Sequence, residues 1–131
     1  MTPDIQKHVL VVDDEEDVLD LVKTVLTGNG YSVTTATTGE EALVKAVETH
    51  PDLIILDVVM PGISGLEVCR LLKGKNAFKK VPIIMMSVLD RPIDHQHVED
   101  TGADEFIHKP FDIDQLLITI DNIQNKKHRQ K

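Results

Sequence analysis

Apolar residues along this chain fall into two kinds of pattern. Val9-Leu10-Val11-Val12, Leu53-Ile54-Ile55-Leu56 and Ile83-Ile84-Met85-Met86 are unbroken runs bounded by polar or turn-forming residues. Such runs predict strands buried on both faces, as in a parallel sheet. They place a first strand at His8–Val12, a third at Leu53–Asp57 and a fourth over residues 81–87. Pro82 falls near the start of the fourth, where a missing N–H is tolerated. Residues 31–36 alternate in character and predict a second strand, and residues 105–109 predict a short fifth one ending at Pro110.

Between these runs the apolar residues recur at helical spacing. Val18, Leu21, Val22, Val25 and Leu26 predict a helix stopped by Gly28-Asn29-Gly30. Thr38, with Glu41 three residues on, predicts a capping box before a helix buried through Ala42, Leu43, Ala46 and Val47. Ser64 is placed to cap a helix carrying Leu66, Val68, Cys69 and Leu72 as far as Gly74, and residues 75–80 read as a polar, basic loop. Pro92 precedes a helix over 93–101 with a thin apolar stripe, closed by Gly102. Asp112 is placed to cap a last helix bearing Ile113, Leu116, Leu117, Ile120 and Ile123. The basic tail at 126–131 reads as a solvated helix end or the start of a linker.

Strand and helix thus alternate five times in 131 residues. Alternation predicts an α/β fold, a doubly wound parallel sheet with helices on both faces and right-handed crossovers. The length suits one domain, with a core over about residues 8–125.

Composition narrows the function classes. The net charge of −8 disfavours nucleic acid and anionic membrane as direct partners, since both are negative. Aromatic residues make up only 3%, with no Trp, which removes most stacking platforms for bases. Cys69 is the single cysteine, so no internal disulfide is expected. No apolar run approaches the roughly 20 residues that span a bilayer. Met1-Thr2-Pro3-Asp4-Ile5 does not read as a secretory leader, and a cytoplasmic protein is the expectation.

The candidate chemistry lies at the strand ends. Asp57 closes the third strand, Asp13 and Asp14 follow the first, Ser87 ends the fourth and Lys109 the fifth. In open α/β sheets ligands bind outside the carboxyl ends of the strands, so the fold would gather these groups at one mouth. Two carboxylates about 4 Å apart repel by roughly 4 kcal/mol at an effective dielectric near 20. A hard divalent cation would relieve that repulsion, and oxygen ligands in a partly open site suit Mg²⁺. A hydroxyl and an ammonium around the same point suit phosphoryl oxygens, and an Asp can accept a phosphoryl group covalently. Each piece alone has a plainer reading. Asp13, Asp14 and Glu15 suit the start of a helix, Lys109 suits a snorkelling surface lysine, Ser87 a strand-end cap, and Phe106 a core residue. His95 and His97, two apart on a helix, point to different faces and read as solvated rather than metal-binding.

Taken together, Val11-Val12-Asp13-Asp14, Ile55-Leu56-Asp57-Val58-Val59-Met60-Pro61-Gly62, Ser87 and Gly102-Ala103-Asp104 with Lys109-Pro110-Phe111 resemble the receiver domain of two-component response regulators. The resemblance runs from about His8 to Asn125 and implies a CheY-like, flavodoxin-like (βα)₅ fold with strand order 2-1-3-4-5. It implies phosphotransfer to Asp57 from a sensor histidine kinase or phosphotransfer protein, and a domain that catalyses its own phosphorylation and dephosphorylation without being a conventional turnover enzyme. It implies Mg²⁺ (or Mn²⁺) held by Asp14, Asp57 and the backbone carbonyl of Val59, with Asp13 acting through water. Ser87 would bond a phosphoryl oxygen, Phe106 would turn inward as the aromatic switch, Lys109 would pair with the phosphoryl group, and the bond before Pro110 would be cis. The helix over 93–101, the fifth strand and the last helix would form the output face, for a downstream effector or a homodimer. Val88 stands where the family usually has a small residue, and Val59 where many members carry a polar one. Val88 would narrow access for small donors, and the two together imply slow loss of the phosphoryl group.

Rivals fare worse on the same residues. A flavodoxin would carry a hydroxyl- and glycine-rich phosphate loop where four acids, Asp13 to Glu16, stand. Gly28-Asn29-Gly30 ends a helix rather than opening one, against a dinucleotide site. A phosphatase with Asp57 as transient nucleophile would have a second carboxylate where Val59 stands. A degenerate, unphosphorylated receiver acting as a docking module is the alternative, and the complete acid, hydroxyl and lysine set argues against it.

Overall fold

The computed structural model describes residues 7–88 and 102–129, with side chains in the last helix described as far as residue 124. Five parallel strands, β1 (His8–Val12), β2 (Ser32–Ala36), β3 (Leu53–Asp57), β4 (Ile83–Ser87) and β5 (Glu105–His108), lie in the order β2-β1-β3-β4-β5. The described helices are α1 (Glu16–Gly28), α2 (Gly39–Thr49), α3 (Gly65–Lys73) and a C-terminal helix (Ile113–Arg129). The helix expected over 93–101 falls outside the described residues.

Successive strand residues feed opposite layers, as the pleat requires. Leu10, Val12, Ile54, Leu56, Ile83 and Met85 join Ala42, Ala46, Val68, Cys69 and Leu72 of α2 and α3 on one face. Val9, Val11, Leu53, Ile55, Ile84 and Met86 join Leu19, Val22, Leu26, Leu116, Ile120 and Ile123 on the other. β3 is buried at every position, which accounts for its unbroken apolar run.

Caps set where the helices start. Thr38 Oγ1 accepts from the Glu41 N–H at 3.0 Å, and Glu41 Oε1 in return accepts from the Thr37 N–H at 2.8 Å. The return bond of this capping box thus lands one residue earlier than the usual pattern. Ser64 Oγ caps the Glu67 N–H and Asp112 Oδ1 the Gln115 N–H.

Four expectations need correction. Leu21 and Val47 are 48% and 54% exposed, because the buried stripes run through Leu19, Val22 and Leu26 on α1 and through Ala42 and Ala46 on α2. The stretch 75–80 is not wholly polar loop: Asn76–Phe78 forms a 3₁₀ turn with Phe78 buried as its anchor. β4 begins at Ile83, directly after Pro82, whose carbonyl still accepts from the Ile54 N–H. β5 stops at His108, and the Lys109 N–H reaches back to the Ser87 carbonyl at 2.7 Å.

Candidate functional site

The carboxyl ends of β1, β3, β4 and β5 converge. The Asp13 N–H donates to the Ala36 carbonyl, which ties the end of β1 to the end of β2. The chain then turns, and the Glu15 N–H donates to Asp13 Oδ1 at 2.9 Å. Asp13, Asp57 and Ser87 are the buried polar residues of the described chain, while Asp14 is exposed. Asp13, Asp14 and Asp57 each offer a ligand atom within 4.8 Å of the others.

Lys109 crosses this cluster. Its Nζ lies 2.6 Å from Asp13 Oδ2, 3.4 Å from Asp57 Oδ2 and 3.4 Å from Glu15 Oε1. The peptide bond between Lys109 and Pro110 is cis. The Val59 N–H approaches Asp57 Oδ1 at 3.4 Å. Asp14, Glu15, Asp57, Val59, Ser87, Val88 and Lys109 line a hollow of about 200 Å³.

The electrostatics follow from the crowding. Burial first, then the charge of Asp13, pushes the Asp57 carboxyl up to about 6, against the opposing pull of Lys109 and the Val59 N–H. Burial disfavours the charge on Lys109, but its hydrogen bond to Asp13 and the charges of Asp57 and Asp13 outweigh burial and hold its pKa above the ordinary lysine value. At neutral pH Asp57 is therefore mostly ionised and Lys109 charged. The site can present a carboxylate nucleophile beside an ammonium, in a hollow that admits a phosphoryl-sized group.

The sequence-predicted residues Asp13, Asp14, Asp57, Val59, Ser87 and Lys109 come together here. Phe106 does not line the hollow. It is half-buried against the α2–α3 layer, in register with Met85. Glu15, read as a helix-start acid, also reaches Lys109. Only the fold could show that, since 94 residues separate the two.

A doubly wound sheet in the order 2-1-3-4-5, carrying buried acids and a lysine at its mouth, defines a CheY-like signalling domain. The chain matches the response regulator receiver domain over residues 9–121 and belongs to that family. It is 43% identical over 107 residues to the alkaline phosphatase synthesis transcriptional regulatory protein PhoP of Bacillus subtilis, covering 82% of this chain and 44% of that protein. It is 38% identical over 109 residues to protein PilG of Pseudomonas aeruginosa, covering 83% of this chain and 81% of that one. The chemotaxis response regulator CheY4 of Vibrio cholerae superposes with a TM-score of 0.87 at 34% identity, over 91% of this chain and 99% of that one. The chain thus spans less than half the length of the PhoP relative. Membership supports a role in phosphorylation-dependent signalling. No described helix is long and apolar enough to cross a membrane.

Proposed function

We propose that this domain is a switch in which Asp57 accepts a phosphoryl group from a phosphohistidine on a sensor kinase or phosphotransfer protein. The observation that carries this is the placement of Asp57 at the end of the central strand, buried beside Lys109 and Asp13. An Asp57 carboxylate oxygen attacks phosphorus, the P–N bond breaks, and its electron pair leaves with the donor imidazole. Lys109, already 3.4 Å from Asp57 Oδ2, is placed to follow the incoming negative charge.

The residues fit a divalent metal. Three aspartate oxygens within 4.8 Å of one another, beside a partly open hollow, suit the all-oxygen coordination of Mg²⁺. Asp14, Asp57 and the Val59 carbonyl would hold it, with Asp13 acting through water. When bound, it offsets the repulsion between these acids and an incoming phosphoryl dianion.

Ser87 and Phe106 are assigned the switch. Ser87 has the parity of Met85 on β4, and Phe106 pairs with Met85 on β5, so both lie toward the α2–α3 layer. A Ser87 hydroxyl drawn to a new phosphoryl oxygen would alter the packing next to Phe106. β5 and the C-terminal helix, with the segment between β4 and β5, are then the face offered to an effector or to a second copy.

Intact-mass spectrometry after incubation with acetyl phosphate tests the reading, run with Mg²⁺, with EDTA, and on Asp57→Asn. One added phosphoryl group, lost in EDTA and in the variant, is the expected result. An adduct that survives Asp57→Asn would refute the assignment.

A further inference from the structure

The loop between Asp57 and α3 carries Val59, and it is gripped by glycines on two helices. Gly65 is the first residue of α3. A Cβ built there would lie 1.9 Å from the Asp57 carbonyl oxygen, 2.8 Å from the Asp57 carbonyl carbon and 3.0 Å from Val58 Cα. These are backbone atoms at the buried end of the central strand, so no side-chain rotation can relieve the clash. The Gly65 N–H uses the same closeness to donate to the Val58 carbonyl at 2.8 Å. At the other end of the loop, a Cβ on Gly39 of α2 would lie 2.5 Å from Ile63 Cγ1 and 2.9 Å from the Ile63 carbonyl oxygen. Gly28, by contrast, has nothing within 4 Å of where a Cβ would sit.

From this we infer that Gly65 is a positioning residue for the phosphoacceptor, resting on the reading of Asp57 given above. By admitting the start of α3 against the Asp57 carbonyl, it fixes the Asp57 main chain and, through the Val58 bond, the direction in which Val59 leaves the strand. A side chain at Gly65 displaces the carboxylate from Lys109 and turns Val59 away from its place beside Asp57 on the hollow. Gly39 acts on the same loop more weakly, because two of its three close contacts, Ile63 Cγ1 and Val68 Cγ2 at 2.9 Å, are side-chain atoms that can shift.

The test compares Gly65→Ala with Gly28→Ala and with Ile123→Ala, which removes core volume far from the loop. Phosphorylation by acetyl phosphate is followed by intact mass, and Mg²⁺ binding without any phosphodonor by the chemical shifts of backbone amides. Gly65→Ala is expected to keep the wild-type fold by circular dichroism, to lose about 10- to 100-fold in phosphorylation rate, and to bind Mg²⁺ several-fold more weakly. Ile123→Ala is expected to melt lower while keeping both properties, which separates a loss of positioning from a loss of stability. Wild-type rate and Mg²⁺ affinity in Gly65→Ala, or losses matched by Ile123→Ala, overturn the inference. If Gly65→Ala does not fold, Gly39→Ala decides: a smaller fall in both readouts supports it, and no fall overturns it. A wild-type protein that takes no phosphoryl group from acetyl phosphate or from a phosphohistidine donor would instead sink the reading of Asp57, whatever the glycine variants do.

Discussion

Two half-buried lysines sit at opposite ends of the sheet and are used in opposite ways. At the amino ends of the strands, Lys73 Nζ donates to the Val81 carbonyl at 2.7 Å and the Lys79 carbonyl at 3.3 Å, and pairs with Asp104 at 3.2 Å. Asp104 Oδ2 also accepts from the Ile83 N–H at 2.8 Å. Charge is balanced there, and the donors are shared between backbone and one acid. At the carboxyl ends, one ammonium, Lys109, contacts Asp13, Glu15 and Asp57, with Asp14 in the same cluster. That end keeps surplus negative charge at close range and stores repulsion. The first arrangement closes a structure. The second leaves it poised for a cation and a phosphoryl group.

The sharpest way to break the comparison is to remove one acid from each end. Asp57→Asn is expected to abolish phosphoryl incorporation, while Asp104→Asn leaves it near wild type in the acetyl phosphate mass assay. Equal incorporation by the two variants would erase the distinction.

Stability should respond the other way round. Asp104→Ala strips the Ile83 N–H of its acceptor and Lys73 of its counter-ion. The pair is worth little, since Asp104 is open to solvent, but an unsatisfied backbone donor costs about 1–3 kcal/mol. A loss in that range by urea denaturation, with an unchanged slope, is expected. A loss below about 0.5 kcal/mol would show that the Lys73 end is not the closed one.

Asp57 should make the carboxyl end less stable as pH rises. Its folded pKa of about 6 lies above its unfolded value. The folded state therefore holds a proton that the unfolded state has released, and stability falls as pH climbs from about 4 through 6, then levels off. Without metal, Asp57→Asn is expected to melt a few degrees higher than wild type at pH 8 and to lose that advantage near pH 4. Adding Mg²⁺ at pH 8 should raise the wild type and leave the variant nearly unmoved. Parallel melting curves for the two proteins from pH 4 to 8 would contradict this.

The sequence revealed the strands and most of this mouth for a common reason. β3 and β4 are buried at every position, so burial writes itself as an unbroken apolar run, and a polar residue closing such a run stands out, as Asp57 and Ser87 do. Helix faces were less legible. Leu21 and Val47 fit the helical spacing yet face solvent, because a repeat of three and four admits more than one stripe. The Lys73–Asp104 link joins residues 31 apart with no local signal, and Phe78 is a single apolar anchor among lysines. Gly65 could be read only as a residue near a helix start, until the Asp57 carbonyl was found where its Cβ would be.

The smallest effect concerns the life of the phosphoryl group. Val59 and Val88 are 56% and 65% exposed and line the same hollow as Asp57. Hydrolysis needs a water held in line with the Asp57–phosphorus bond, and neither branched apolar side chain can hydrogen-bond one. Val59→Asn supplies an amide at the rim without touching the acids, Ser87 or Lys109. Dephosphorylation of that variant is expected to be several-fold faster than wild type, a change of about 1 kcal/mol in the barrier. The decay of the phosphorylated mass after removal of the donor measures it directly. Slower decay in Val59→Asn would mean that water reaches Asp57 by another path, and that the apolar rim does not set the lifetime.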